Sequence, residues 1–345
     1  MLPVIFGLSG TTLTPEERAF FRQAEPVGYI VFARNIASQE QLRDLTASLY
    51  DLHGRDDLLI LVDQEGGRVA RLAPPNWQAY PAAAVFADAW QRDAAAAIAA
   101  TQYNYEALGI DLALVGINVD CAPVLDLPRP GAHDVIGDRA FGSDPHVIAS
   151  LGQAALDGLA AAGIAGVIKH IPGHGRASVD SHHDLPVVTA SEDALWADAA
   201  PFCALSHAPM AMTAHVRYDA WDPHQCATLS PSVIQTVIRE RIGFDGLLLT
   251  DDLDMRALSG SVASLGLQSL AAGCDVALNC WGDMAVMQAL ADGLPEASDD
   301  CRRRLAKVAQ QFKRQSSAQA LLARQRDCVE ARDRLLANLS PSLSS

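Results

Sequence analysis

Leu247-Leu248-Leu249-Thr250-Asp251-Asp252 is an apolar run that stops on two carboxylates. A strand that is apolar on both faces suits a parallel sheet covered by helices on each side. Seven other short apolar or β-branched runs share its form, so that strands are expected at 3–6, 28–32, 58–63, 117–124, 166–170, 210–215, 246–251 and 275–279. Longer Ala- and Leu-rich segments with helical spacing alternate with them, at 15–24, 38–53, 84–108, 145–162, 191–206, 231–242, 262–272 and 283–292. Several carry boundary signals: Thr14 before Pro15-Glu16-Glu17, Ser230 before Pro231, and Gly163 and Gly243 just past a last turn.

Eight strand and helix pairs in one chain predict an α/β protein, a single-domain (β/α)8 TIM-type barrel. The competing doubly wound sheet calls for a glycine-rich phosphate turn after an early strand, and the chain contains neither GxGxxG nor GxxxxGK[ST]. The barrel is expected over 1–298, with 299–345 forming a C-terminal helical extension of one or two helices and a Ser-rich tail packed on the same domain.

The 345 residues are 50% hydrophobic and 19% charged, the composition of a folded chain with a large core. A formal charge of −15 repels phosphate backbones and anionic bilayers, which argues against nucleic acid and membrane partners. The seven cysteines show no CxxC spacing and cannot all pair within the chain, so reduced thiols are expected. No cationic leader opens MLPVIFGLSG, and no apolar run reaches the roughly 18 residues of a membrane span. A cytoplasmic monomer is the expectation.

Barrel chemistry sits at the carboxyl ends of the strands. There the chain places Arg34-Asn35, the 63–68 stretch, Asp126, Lys169-His170, His215 and Asp251-Asp252. A shared polar pocket accounts for so many charges at the rim of one core. The densest stretch is the 169–186 segment, which Pro172, Gly173 and Gly175 make a loop. Within it Asp180 and His182 stand two apart, a spacing that lets the carboxylate orient the imidazole and favour its protonated form. Such a histidine can give a proton to a leaving group and take one from water. Alone, Asp-x-His is a weak signal that reads first as a surface hydrogen bond, and His174 and His183 read as loop-packing residues. The histidines with Asp63 and Asp251 are also metal-ligand types, but without HExxH or a close His-x-His pair they give no metal site.

Four ordered motifs carry a resemblance. They are Val62-Asp63-Gln64-Glu65-Gly66-Gly67-Arg68-Val69-Ala70-Arg71, Ile136-Gly137-Asp138-Arg139-Ala140-Phe141-Gly142, the 169–182 loop, and Gly243-Phe244-Asp245-Gly246 leading through Thr250-Asp251-Asp252-Leu253-Asp254-Met255. With them the chain resembles, from about residue 28 to residue 279, the single-domain bacterial β-N-acetylhexosaminidases of glycoside hydrolase family 3. The resemblance implies Asp251 as nucleophile, His182 supported by Asp180 as acid/base, and Asp63, Arg71, Arg139, Lys169 and His170 as the residues that hold the terminal sugar. It also implies a small carbohydrate or muropeptide substrate and no cofactor.

On residue type alone Asp252 and Asp254 compete with Asp251 for the attack, and the family pattern favours Asp251. An Asp/His pair in place of a carboxylic acid leaves a neutral imidazole after the first step, so a phosphorylase or a broader β-glycosidase is an alternative. A catalytically silent sugar-binding protein is another.

Overall fold

The computed structural model describes residues 1–129, 135–177, 185–312 and 317–339. Eight parallel strands close into a barrel in chain order: β1 (Leu2–Gly7), β2 (Pro26–Val31), β3 (Leu59–Val62), β4 (Val119–Asp120), β5 (Ala165–Ile171), β6 (Met210–Thr213), β7 (Leu247–Asp252) and β8 (Val276–Asn279), with β8 pairing back onto β1. The predicted architecture is thus the observed one.

Burial explains why these strands lack a polar face. Ile5, Ile30, Leu59, Leu61, Val119, Cys121, Ala165, Val167, Met210, Met212, Leu247, Leu249, Val276 and Leu278 form one cluster, the barrel interior. Their alternates, among them Phe6, Tyr29, Ile60, Ile168, Leu248 and Ala277, belong to a second cluster shared with the surrounding helices. Successive strand side chains point to opposite faces, so a strand buried on both faces becomes a continuous apolar run.

The helices are α1 (Pro15–Ala24), α2 (Gln39–His53), α3 (Ala83–Trp90), α4 (Ala94–Leu114), α5 (Pro145–Ala161), α6 (Glu192–Ala204), α7 (Val262–Ala272), α8 (Met284–Gly293), α9 (Asp299–Ala309) and α10 (Ala318–Leu339), with a π-helical segment at Val233–Arg241. At the start of α1 the Thr14 hydroxyl accepts from the Glu17 amide while Glu17 accepts from the Thr14 amide, a capping box.

Two expectations needed correction. The helix expected at 84–108 is two helices, because Asp93 caps a fresh start by accepting from the Ala96 amide at 3.0 Å, and the second helix runs on to Leu114. The strand expected at 117–124 keeps only two residues in the ladder, followed by a bridge from Val124 to Lys169. Pro123 supplies no N–H there.

Cys301, Leu305 and Val308 on α9 join the interior cluster, so this helix closes the amino end of the barrel. The long α10 packs on α4, where Arg324 donates two bonds to Glu106 (2.6 and 2.7 Å) and Arg332 donates to Asn104 at 3.0 Å. The Ser-rich tail, 340–345, lies outside the described residues. Among the described residues no helix is long and apolar enough to cross a membrane.

Candidate active site

Strand parity builds the site. Residues 59 and 61 face the barrel interior, and two residues further on is Asp63; 165 and 167 lead to Lys169, 247 and 249 to Asp251, 276 and 278 to Cys280. Each sits at or just past the carboxyl end of its strand, where the apolar filling ends. All four line a cavity of about 370 Å³ at that face, with Phe32, Glu65, Arg71, Arg139, His170, His174, Asp252, Met255 and Trp281 among its other walls. The β5 register shifts between Lys169 and Ile171, so His170 also reaches this cavity.

One wall is an ion network. Lys169, 2% exposed, donates to Asp63 at 2.8 Å and pairs with Glu65 at 2.7 Å. Arg139 holds both oxygens of Glu65 at 2.8 Å, a bidentate pair, and Arg71 reaches the other Asp63 oxygen at 3.4 Å. Burial pushes the Glu65 carboxyl up, but Lys169 and Arg139 outweigh it and bring it down to about 2. Asp63 is lowered in the same way, against burial, by Lys169 and Arg71. The same anions raise Lys169 despite its burial. Three cations therefore meet two carboxylates, and the donors are fixed before any ligand arrives. Most of this positive charge is spent on Asp63 and Glu65, and of the three cations only Lys169 contributes to Asp251, as the smallest of its causes.

Asp251 stands on the opposite side, at the end of β7, partly open to the cavity. Burial raises its carboxyl, but His215, His170, the Asp252 amide at 2.8 Å and Lys169 together hold it below the usual range. Its neighbour behaves oppositely. Burial, with the charges of Asp254 and Asp251, pushes Asp252 up to about 7, although its Oδ1 accepts from the Asp254 and Cys280 amides, each at 3.2 Å. Asp254 turns to the side chain of Asn279 and does not line the cavity. Geometry thus separates three carboxylates that residue type left equivalent, and Asp251 is the ionised one in the pocket.

The 169–186 loop leaves from the same rim. Its first part is anchored on Asp126, wholly buried, which accepts from His170 Nδ1 (2.6 Å), the His170 amide (3.2 Å) and the His174 amide (2.6 Å). Gly175 passes so close to Leu127 that a β-carbon there would lie 1.9 Å from its carbonyl oxygen, which only glycine permits. Arg176 and Arg129 both donate to Asp198 on α6. Where the loop returns, Val187–Val188 pairs with Arg217–Tyr218 in a small two-stranded sheet. Asp180, His182 and His183 lie outside the described residues.

Of the eight candidate residues, Asp63, Arg71, Arg139, Lys169, His170 and Asp251 come together around one cavity. His174, read from sequence as loop packing, packs edge-on against His170 at 5.6 Å and also lines that cavity, where burial lowers it to about 4. His215 is fully buried and bridges Thr228 (2.7 Å) and the Asp252 carbonyl (3.0 Å). Glu65 was not singled out, although the signal was present: it lies two residues beyond Asp63 and so falls on the same side of an extended chain. Among the described residues no group of three or more His, Cys, Asp or Glu side chains is arranged to hold a metal ion.

Comparison with known proteins agrees with this arrangement. Residues 11–314 match the glycosyl hydrolase family 3 N-terminal domain. A β-hexosaminidase of Bordetella pertussis is 39% identical over 311 residues, covering 88% of this chain and 87% of its own, and one of Bordetella avium is 38% identical over 309 residues, covering 88% and 84%. The crystal structure of NagZ from Neisseria gonorrhoeae in complex with N-trifluoroacetyl-D-glucosamine superposes with a TM-score of 0.86 at 32% identity, covering 98% of each chain. With a closed eight-strand barrel, an acidic strand end facing fixed cationic donors and a family match spanning most of its length, the chain belongs to glycosyl hydrolase family 3.

Proposed function

We propose that this enzyme is a cytoplasmic, monomeric, retaining exo-β-N-acetylglucosaminidase that removes terminal N-acetylglucosamine from cell-wall muropeptides such as GlcNAc-1,6-anhydroMurNAc. The observation that carries the reading is Asp251, a carboxylate kept ionised at the edge of a cavity whose facing wall is built of fixed hydroxyl-binding groups. The β-hexosaminidase names of the Bordetella relatives and the N-acylated glucosamine bound by the gonococcal protein support the choice of sugar.

In this scheme Asp63 accepts from hydroxyls of the terminal sugar through lone pairs left free by Lys169 and Arg71, while Lys169, Arg139, Arg71 and His170 donate. Asp251 attacks the anomeric carbon, and the bond to the leaving oxygen breaks as His182, oriented by Asp180, protonates it. Water then attacks the glycosyl-enzyme, giving its proton to His182 and releasing Asp251.

Release of nitrophenol from 4-nitrophenyl N-acetyl-β-glucosaminide tests the reading. Chelator-resistant turnover is expected, faster than on the glucoside analogue, and reduced at least ~10³-fold in Asp251→Ala. Loss of activity with chelator would instead indicate a metallohydrolase, and silence on both sugars a binding protein. Sugar 1-phosphate formed in phosphate buffer would indicate a phosphorylase. Chromatography of a GlcNAc-anhydroMurNAc digest checks the muropeptide.

A further inference from the structure

Trp281 is an exposed large hydrophobe at the cavity mouth: its surface is 65% accessible, and it lines the same cavity as Asp251 and Asp252. It follows β8, across the barrel from the Asp63–Glu65–Lys169 wall. The backbone around it is pinned on both sides. The Cys280 amide donates to Asp252 Oδ1 at 3.2 Å, and the Cys280 carbonyl accepts from the Arg34 guanidinium. Gly282, at φ +71°, lies against β1's exit, where a β-carbon would come within 2.7 Å of the Leu8 carbonyl carbon. Asp283 then caps α8, accepting from the Ala285 and Val286 amides at 2.9 and 3.1 Å.

An indole left in solvent on a rigid stem serves no core. An exposed aromatic rimmed by polar residues at a cavity mouth marks a ligand-contacting surface. The fixed ionic groups occupy the deep wall and suit the hydroxyls of the sugar being cleaved; the half of the substrate beyond the scissile bond must leave through the mouth. We propose that Trp281 is a specificity-determining platform for the leaving group, stacking on the apolar C–H face of a pyranose aglycone. This rests on the glycosidase reading above and deepens it by naming the residue that meets the departing sugar ring.

The test compares kcat/KM for N,N′-diacetylchitobiose with that for N-acetyl-β-glucosaminyl fluoride, whose leaving group has no ring. Trp281→Ala is expected to lower the ratio of the two about tenfold, chiefly through KM for the disaccharide, and Trp281→Phe to restore most of it. An unchanged ratio, whether both substrates suffer equally or neither does, overturns the platform while leaving the glycosidase reading intact. A wild type that cleaves neither substrate overturns that reading, and the platform with it.

Discussion

Glu65 is the carboxylate on which the ion network turns, because among the described residues it alone bonds both Lys169 and Arg139, and it is only 4% exposed. Removing one partner from a buried ion pair leaves its counter-charge uncompensated, and the loss exceeds what the intact pair contributed. Glu65→Gln is therefore expected to destabilise the fold by roughly 3 kcal/mol. It should also lower kcat/KM at least about tenfold, since Lys169 and Arg139 lose the fixed positions that spare them reorganisation during catalysis. Urea unfolding and steady-state kinetics check the two halves. Unchanged stability would mean that Asp63 compensates both cations by itself.

Helix α6 acts on the site without lining it. Its Asp198, 4% exposed, gathers Arg129 from the segment that follows β4 and Arg176 from within the 169–186 loop, with Arg129 donating at 2.9 and 2.7 Å. The stem of the segment that carries Asp180 and His182 is thereby fixed to a helix packed on the barrel. Asp198→Ala is expected to lower stability by about 2 kcal/mol, limited by the partial exposure of both arginines. It should lower kcat more than it raises KM, because Asp198 holds the loop stem, whereas Asp63, Arg71 and Arg139 of the proposed sugar-holding wall lie on other segments. Equal losses in both parameters would assign Asp198 a structural role only. The helices also show what periodicity conceals: α4 is buried all round from Asn104 to Ala113, and Ala95 and Ile98 fill exposed positions of its first turns, so its sequence has no clean polar face to mark where it begins.

At the scale of the whole molecule, the carboxylates divide by sign. Asp63, Glu65, Asp126 and Asp251 are lowered in the fold, so their contribution is present above the ordinary carboxylate range near pH 4 and is lost as pH falls through their folded values. Asp111, raised to about 6, and Asp252, raised to about 7, do the reverse, chiefly through burial: the folded state keeps a proton that the unfolded chain releases, so stability falls as pH rises from about 4 to 7. Asp252→Asn removes one of these penalties. Its Tm is expected to exceed the wild type's at pH 8, by roughly 1–3 kcal/mol of stability, with the difference gone at pH 4. Thermal melts at the two values decide it, and a pH-independent difference would trace the effect to packing. The barrel is legible in the amino-acid order alone, because a strand buried on both faces must be a continuous apolar run and eight such runs alternate with helices. Equally legible is the rim where those runs end in charge, at Asp63, Lys169 and Asp251, which line one cavity. Which charges neutralise one another emerges when the barrel closes: Glu65 joins Lys169 and Arg139 across more than seventy residues of chain, and the neighbouring carboxylates at 251, 252 and 254 part into one ionised group in the cavity, a second raised to about 7, and a third, raised as well, turned to Asn279. Residue type fixes what a side chain can bind, whereas its partners and its solvation arise from segments that meet only when the barrel closes.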